Sequence, residues 1–175
     1  MGGDSPVVHF HFLTSDVSSE HIYAQELEDA LAERGVRFTD DWREADIVHM
    51  FEVNFFTANS IRSFSFPTVL KILRSDIPVV VSLDDLYFIG RPEFTAWPSL
   101  YQLNHHAQRW LLKRVDRTIA ISESVKRTLS KFTAPERIAT VHHGVHEAYF
   151  PDGSRSTDEG YVLHVSLASE RKHPE

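Results

Sequence analysis

Cysteine is absent from this chain of 175 residues. Its absence excludes disulfide bonds, thiolate zinc sites, iron–sulfur clusters and cysteine nucleophiles. No apolar run approaches the roughly 20 residues that a membrane-spanning helix requires. Residues 1–6 lack the pattern of a secretory signal, and Pro6 stands where a myristoylation motif needs Ser or Thr. These absences predict a soluble, cytoplasmic chain whose chemistry depends on carboxylates, imidazoles, hydroxyls and backbone groups.

Positive charge and glycine are also scarce. The chain has 18 Lys and Arg against 25 Asp and Glu, a net charge of −7, and only 7 Gly. The acidic balance argues against nucleic-acid binding, because phosphate contacts need a basic face. The chain contains no Gly-x-Gly-x-x-Gly, no P-loop and no Gly-x-Ser-x-Gly. Dinucleotide binding of the usual kind, P-loop phosphate binding and α/β-hydrolase catalysis therefore lack support.

Short apolar strands alternate with amphipathic helices along the chain, and 42% of its residues are hydrophobic. Strands are predicted at 7–13, 36–39, 46–51, 78–83, 118–121, 138–142 and 161–165. Helices are predicted from Ser19 to a cap at Gly35, over 58–74 with a break at Pro67, over 99–115, and from an N-cap at Ser122. This alternation indicates an α/β fold, a Rossmann-like parallel sheet with helices on both faces in three layers.

The predicted helices have defined apolar faces. The pattern over 99–115 predicts a buried stripe of Leu103, Ala107, Trp110, Leu111 and Val115. The adjacent His105 and His106 do not face the same way, so one is expected at the surface and one partly buried. The helix that follows Ser122 is expected to bury Val125, Leu129 and Phe132.

Parallel sheets of this kind bind ligands beyond the carboxyl ends of their strands. Asp84 and Asp85 follow the predicted strand 78–83 directly, so the pair can bind a metal, orient a sugar hydroxyl or act as a base. Alternatively, one carboxylate caps the next element and the other is solvated. His49 lies near the end of another strand. It can belong to the binding site, or it can be a core residue whose ring nitrogens are hydrogen-bonded within the protein. His142, His143 and Gly144 end a third strand, where an imidazole can face a pocket or the glycine can simply make a turn.

Two further groups of residues suggest chemistry of their own. His9 and His11 alternate within a strand, so both imidazoles lie on one side and can hold zinc; the competing interpretation is two core histidines with backbone partners. Basic residues also line one predicted helix and the segment after it, as either an edge for anionic ligands or lipid headgroups or an ordinary solvated face. They are Arg109, Lys113, Arg114 and Arg117.

Five segments, taken together, resemble the group 1 (family 4 type) glycosyltransferases of the GT-B fold. The segments occur in the family's order and at similar spacing, and cover most of the chain. They are Ala45–His49, Pro78–Leu86, Val115–Ser124, Glu136–Pro151 and Tyr161–Lys172.

The resemblance implies two facing Rossmann-like domains and the transfer of a sugar from a nucleotide-sugar to a sugar or lipid acceptor. It implies retention of configuration, no bound metal, no tightly bound cofactor, and a donor diphosphate held by the second domain. On this basis residues 1–151 are the acceptor-side N-terminal domain, 152–160 a linker and 161–175 the first strand of a truncated donor domain. We therefore expect the chain to be inactive without the missing C-terminal domain.

The resemblance also assigns roles at particular positions. Asp84 falls where the family commonly has the histidine beside the reacting sugar, and Asp85 matches the Asp that follows. An ionised Asp accepts a hydrogen bond but cannot donate one as neutral imidazole does, so the histidine's role does not transfer directly to Asp84. Ser122 matches a serine at a helix start that can meet a ligand.

Other positions match or depart from the family pattern. Gly144 matches the family glycine, with His143 in place of the usual Asn, and Lys172 matches the lysine that meets the donor diphosphate. The family's Gly-rich first turn is replaced by a polar loop, which leaves acceptor contacts to side chains such as Ser15 and Asp16.

Two other function classes remain open from the sequence. The first is a small metal-dependent hydrolase using His9, His11, Asp84 and Asp85. The second is a non-catalytic ligand-binding α/β module. Peripheral membrane contact through the basic edge, and dimerisation by exchange of the strand at 161–165, are further expectations.

Overall fold

A computed structural model describes residues 5–12, 19–51, 55, 65–83 and 98–142. Within them six parallel strands form one sheet in the order β2-β1-β3-β4-β5-β6. The strands are β1 Val7–Phe12, β2 Arg37–Phe38, β3 Ile47–Phe51, β4 Val79–Leu83, β5 Arg117–Ala120 and β6 Ile138–Thr140. The helices are α1 Ser19–Ala32, α2 Ser65–Ile72, α3 Pro98–Leu112 and α4 Glu123–Leu129, with short 3₁₀ turns at Trp42–Glu44 and Pro135–Arg137.

Helices cover both faces of the sheet, so the predicted three-layer, Rossmann-like α/β fold is confirmed. One face carries an apolar core of β-strand side chains such as Val48 and Val81, which cluster with Val69 of α2 and Leu111 of α3. The other face is aromatic at β1 and β3, where it meets α1 through His21 and Tyr23. The strands are apolar on both sides because both faces are covered.

Capping chemistry sets where two helices begin and end. After α1, Gly35 takes a φ of 86°, its N–H donates to Ala32, and the next residue, Val36, donates to Leu31. This is a Schellman turn, which needs a residue that tolerates positive φ. At the start of α4, the Ser122 hydroxyl accepts the N–H of Val125 at 3.2 Å, so the predicted N-cap is confirmed.

One sequence expectation about the helices needs correction, and another stays a prediction. Pro67 lies in the first turn of α2, where its missing N–H would have no intrahelical partner. Residues 58–64, the first part of the predicted helix, lie outside the described residues, so the predicted break in 58–74 stays a prediction. Leu103 is 46% exposed, whereas Asn104 and Gln108 of the same helix are 1% exposed. Leu111 and Val115 are buried as predicted, and Ala107 and Trp110 pack against the core. The buried face of α3 therefore matches the predicted one except at Leu103, and it also contains two amides that apolar spacing does not anticipate.

The described residues all belong to one compact unit, Met1–His142. The second unit, His143–Glu175, lies outside the described residues, and with it the predicted linker 152–160 and strand 161–165. The predicted division at residue 151 stays a prediction. Among the described residues, no helix is both long and apolar enough to cross a membrane.

Candidate functional site

The strand order places the candidate site at the carboxyl edge of the sheet. The chain runs from β1 outward to β2, then crosses to the other side of β1 to form β3. Helices that follow β1 and β3 therefore lie on opposite faces of the sheet, and in parallel sheets such a reversal of strand order is where ligands usually bind. Phe12 and Phe51, the last residues of these strands, are paired in register.

A stack of four aromatic rings crosses this strand junction. His21 of α1 lies on Phe12 with centroids 4.1 Å apart, and Phe12 lies on Phe51 at 5.2 Å, both pairs within 14° of parallel. Phe51 in turn stacks on His49 at 4.3 Å. Phe51 and His49 are buried, whereas Phe12 and His21 are half-exposed. The stack forms an aromatic wall beside these strand ends, and its Phe12–His21 end is partly exposed.

His49 lies in β3 at the buried end of this stack. It is 7% exposed, and its Nε2 is 2.8 Å from the hydroxyl of Ser82 in β4. Burial lowers the pKa of His49 from 6.5 to about 4, so the ring is neutral at physiological pH. The bond ties β3 to β4 at the end that leads to Asp84. Direct substrate contact by His49 stays a prediction.

Ser82 is a residue that the sequence reasoning missed. Its signal was available, because Ser82 is the only polar side chain in the otherwise apolar strand β4. The register places it opposite Phe51, on the same face as His49. A lone hydroxyl in an apolar strand has to find a buried partner, and strand alternation restricts that partner to this face.

A second group of polar residues ends β5 and β6. Ser122 holds the first turn of α4, and the carboxylate of the next residue, Glu123, accepts the Thr140 hydroxyl at 2.5 Å. His142 Nδ1 lies 3.0 Å from the carbonyl of Ile121. The hydroxyl of Ser122 is thus engaged with the backbone, and any ligand contact would have to share it.

His9 and His11 do share one face of β1, with ring centroids 5.7 Å apart. His9 Nδ1 contacts the carbonyl of Thr39 at 3.0 Å, whereas the buried Nε2 of His11 has no hydrogen-bond partner. Burial, with a smaller effect of His9, lowers the pKa of His11 to about 4. No third histidine or carboxylate joins the pair within the part of the chain that the structure describes. The metal-dependent hydrolase alternative also requires Asp84 and Asp85, which lie outside the described residues, so it stays a prediction.

Most predicted site residues lie outside the described residues. Asp84 and Asp85 follow Leu83, the last residue of β4, in the sequence and are themselves outside the described residues. Of the residues predicted for the glycosyltransferase site, His49 and Ser122 are described: His49 lies within β3 and Ser122 follows β5. The remaining predicted residues outside the description are Ser15, Asp16, His143, Gly144 and Lys172.

The predicted basic edge lies at the other end of the sheet. The Arg109 guanidinium stands 5.2 Å over the Phe132 ring and that of Arg114 stands 4.2 Å over Trp110. A cleft of about 450 Å³ opens nearby, with Lys113, Lys131 and Arg137 in its lining. Cations also gather at helix C-termini for electrostatic reasons, and α3 and α4 both end here. Membrane contact through this edge stays a prediction.

Comparison with known families adds one match. The family model described as glycosyltransferase family 4 matches residues 36–149. The matched range runs from β2 through β6 and includes His49, Asp84, Asp85, Ser122 and Gly144, whereas Ser15, Asp16 and Lys172 fall outside it. A search of curated proteins found no match.

Proposed function

The chain belongs to glycosyltransferase family 4, and from this membership we propose that it is the acceptor-side half of a GT-B glycosyltransferase. The proposed reaction transfers a sugar from a nucleotide-sugar donor to the hydroxyl of an acceptor. The single observation that carries the proposal is the extent of the match, which covers five of the six strands and the polar residues that follow them.

The acceptor binds, in this proposal, along the carboxyl edge of the sheet. The aromatic wall at Phe12 and His21 offers an apolar surface, and the polar residues at the ends of β4, β5 and β6 offer hydrogen-bonding groups. Aromatic rings suit the C–H faces of a sugar ring, while side-chain oxygens and imidazoles suit its hydroxyls. The edge therefore supplies both kinds of contact that a sugar needs.

Asp84 and Asp85 are the residues proposed to act on the reacting hydroxyl. They follow β4 at the central position of the edge, beside the strand end that His49 and Ser82 hold in place. An ionised Asp can accept a hydrogen bond from the reacting hydroxyl of the acceptor. This bond would orient the oxygen of that hydroxyl toward the donor. The neutral His49 acts from within the sheet by fixing the end of β4.

The donor binds, in this proposal, mainly through a C-terminal domain, with Lys172 reaching its diphosphate. No metal or other cofactor takes part, the configuration of the sugar is retained, and the enzyme is of the hexosyltransferase type. The 175-residue chain by itself is accordingly expected to be inactive, because in this proposal most of the donor site belongs to the C-terminal domain.

A two-arm binding experiment tests this division of labour. The chain is titrated by calorimetry with UDP-glucose and GDP-mannose, and by nuclear magnetic resonance with methyl glycosides. We expect weak glycoside binding at the carboxyl edge and no tight binding of either donor. Tight donor binding to this chain would contradict the assignment. Asp84→Asn should weaken glycoside binding, and Asp76→Asn, an exposed carboxylate before β4, is the matched control.

A further inference from the structure

The ends of β5 and β6 hold a polar cluster whose members are Glu123, Thr140 and His142. Thr140 donates its hydroxyl proton to Oε1 of Glu123, and His142 donates from Nδ1 to the Ile121 carbonyl. The side chains of Glu123 and His142 are exposed, and Thr140 lies between buried and exposed. The cluster thus stands open at the same edge as the rest of the candidate site.

The hydrogen bonds already made decide what the cluster can still bind. Within residues 98–142, nothing hydrogen-bonds to the second carboxylate oxygen of Glu123, Oε2, and no Lys or Arg forms an ion pair with it. A carbonyl only accepts, so His142 carries its proton on Nδ1 and a neutral ring has its lone pair on Nε2. The hydroxyl proton of Thr140 is already donated to Glu123. Oε2 of Glu123 and Nε2 of His142 are therefore the two positions at which the cluster can still bind a ligand.

Charge restricts the ligand further. The Thr140 hydrogen bond, with smaller effects of Lys126, Arg127 and His142, lowers the pKa of Glu123 below its ordinary value. The carboxylate is therefore ionised at neutral pH. An ionised carboxylate repels a phosphate group, which itself offers only acceptors. The adjacent hydroxyls of a sugar ring, in contrast, offer donors to both Oε2 and Nε2.

We propose that Glu123 and His142 bind hydroxyl groups of the acceptor sugar, with Thr140 as a positioning residue for the carboxylate. The proposal rests on the proposed glycosyltransferase function and deepens it by naming the contacts. The ligand class is an uncharged, polyhydroxylated ring, and the donor diphosphate is excluded from this position.

The Glu123–Thr140 bond also ties the start of α4 to β6, and this structural role makes a different prediction. If the bond only held the fold together, Thr140→Val and Glu123→Gln would have similar effects, since both weaken the same tie. If the carboxylate binds sugar, Glu123→Gln replaces an ionised acceptor with an amide and loses ligand. Thr140→Val keeps the ionised acceptor.

The experiment uses the ¹⁵N-labelled chain and two probes, methyl α-D-glucopyranoside and inorganic pyrophosphate. We expect the glycoside, but not pyrophosphate, to shift the amide signals of Glu123, Thr140 and His142. Glu123→Gln should raise the Kd for the glycoside about tenfold, as the loss of a charged hydrogen bond does. His142→Phe should raise it several-fold and Thr140→Val by about twofold or less. Glu136→Gln, an exposed glutamate at the opposite edge of the sheet, is the matched control.

Three results would overturn the proposal: an unchanged Kd in Glu123→Gln, equal shifts with pyrophosphate, or no shift of these three amides by the glycoside. Glycoside shifts confined to Phe12 and Phe51 would overturn this inference alone and leave the proposed function standing. Tight nucleotide-sugar binding to the chain would contradict the proposed function instead. A folded spectrum for each variant shows that a lost signal reflects binding rather than unfolding.

Discussion

Asp116 and Val79 pair through both their backbone and a side chain at the start of neighbouring strands. The Asp116 carboxylate accepts the N–H of Val79 at 2.8 Å, and the N–H of Asp116 donates to the carbonyl of Val79 at 2.9 Å. Asp46 repeats the arrangement with Val7, at 2.8 Å for both bonds. Both aspartates belong to segments that resemble the glycosyltransferase family. Their role here is to fix strand register at the edge opposite the candidate site.

Removing the Asp116 carboxylate should therefore lower the stability of the fold without weakening ligand binding. Asp116→Ala leaves the partly buried N–H of Val79 without an acceptor, for an expected loss of about 1–3 kcal/mol. Asp116→Asn keeps an oxygen acceptor and should lose less. Urea denaturation measures both, with Asp76→Ala as the exposed control, expected within about 0.5 kcal/mol of the parent. Equal stability of Asp116→Ala and the control would refute this assignment.

The two buried imidazoles predict how stability depends on pH. Burial lowers the pKa of His49 and of His11 from 6.5 to about 4, so the unfolded chain binds more protons between these values. Their contribution is complete above pH 6.5 and is lost as the pH falls toward 4. From about pH 7.5 to about pH 5 each histidine should cost about 2 kcal/mol of the free energy of unfolding.

Substitution separates this titration from the other groups of the protein. His49→Gln keeps a hydrogen-bonding side chain beside Ser82 but does not titrate, so the pH dependence in this range should be reduced by about half. Urea denaturation at both pH values gives the comparison. Identical slopes for His49→Gln and the parent would mean that the ring titrates normally.

The exposure of Leu103 in α3 leads to a prediction that sequence patterning alone would not make. Leu103 is 46% exposed and Leu111 is fully buried in the core. Leu103→Ala should change the free energy of unfolding by about 0.5 kcal/mol or less, and Leu111→Ala should cost about 2–5 kcal/mol. Thermal or urea unfolding of the two variants checks the order. Equal losses of the free energy of unfolding in the two variants would mean that Leu103 is buried like Leu111.

Ser122 has a demonstrated role as helix cap and a predicted role at the ligand, and one pair of variants separates them. Ser122→Ala should cost about 1 kcal/mol because the Val125 N–H loses its acceptor. Ser122→Asp should restore the cap and most of this stability. If glycoside binding is normal in Ser122→Asp, the hydroxyl serves the helix alone; if binding stays weak in a fully stable variant, the hydroxyl also meets the ligand.

The sequence by itself determined the elements, the fold class and the position of the site edge. Apolar strands that alternate with amphipathic helices leave few arrangements besides a covered parallel sheet, and local signals such as Gly35 and Ser122 set helix ends. These features depend on neighbours in the chain, so they can be read from the sequence. The position of Asp84 directly after β4 follows in the same way.

Tertiary structure alone decided which distant residues meet. The bond from His49 to Ser82, the ring stack from His21 to His49, and the link from Glu123 to Thr140 each join different elements. Such pairs depend on which strands become neighbours in the sheet, and hydrophobic periodicity along the chain does not encode that order. The burial of Asn104 and Gln108 likewise required the packed helix, because an amide is buried only where the surrounding structure supplies its partners.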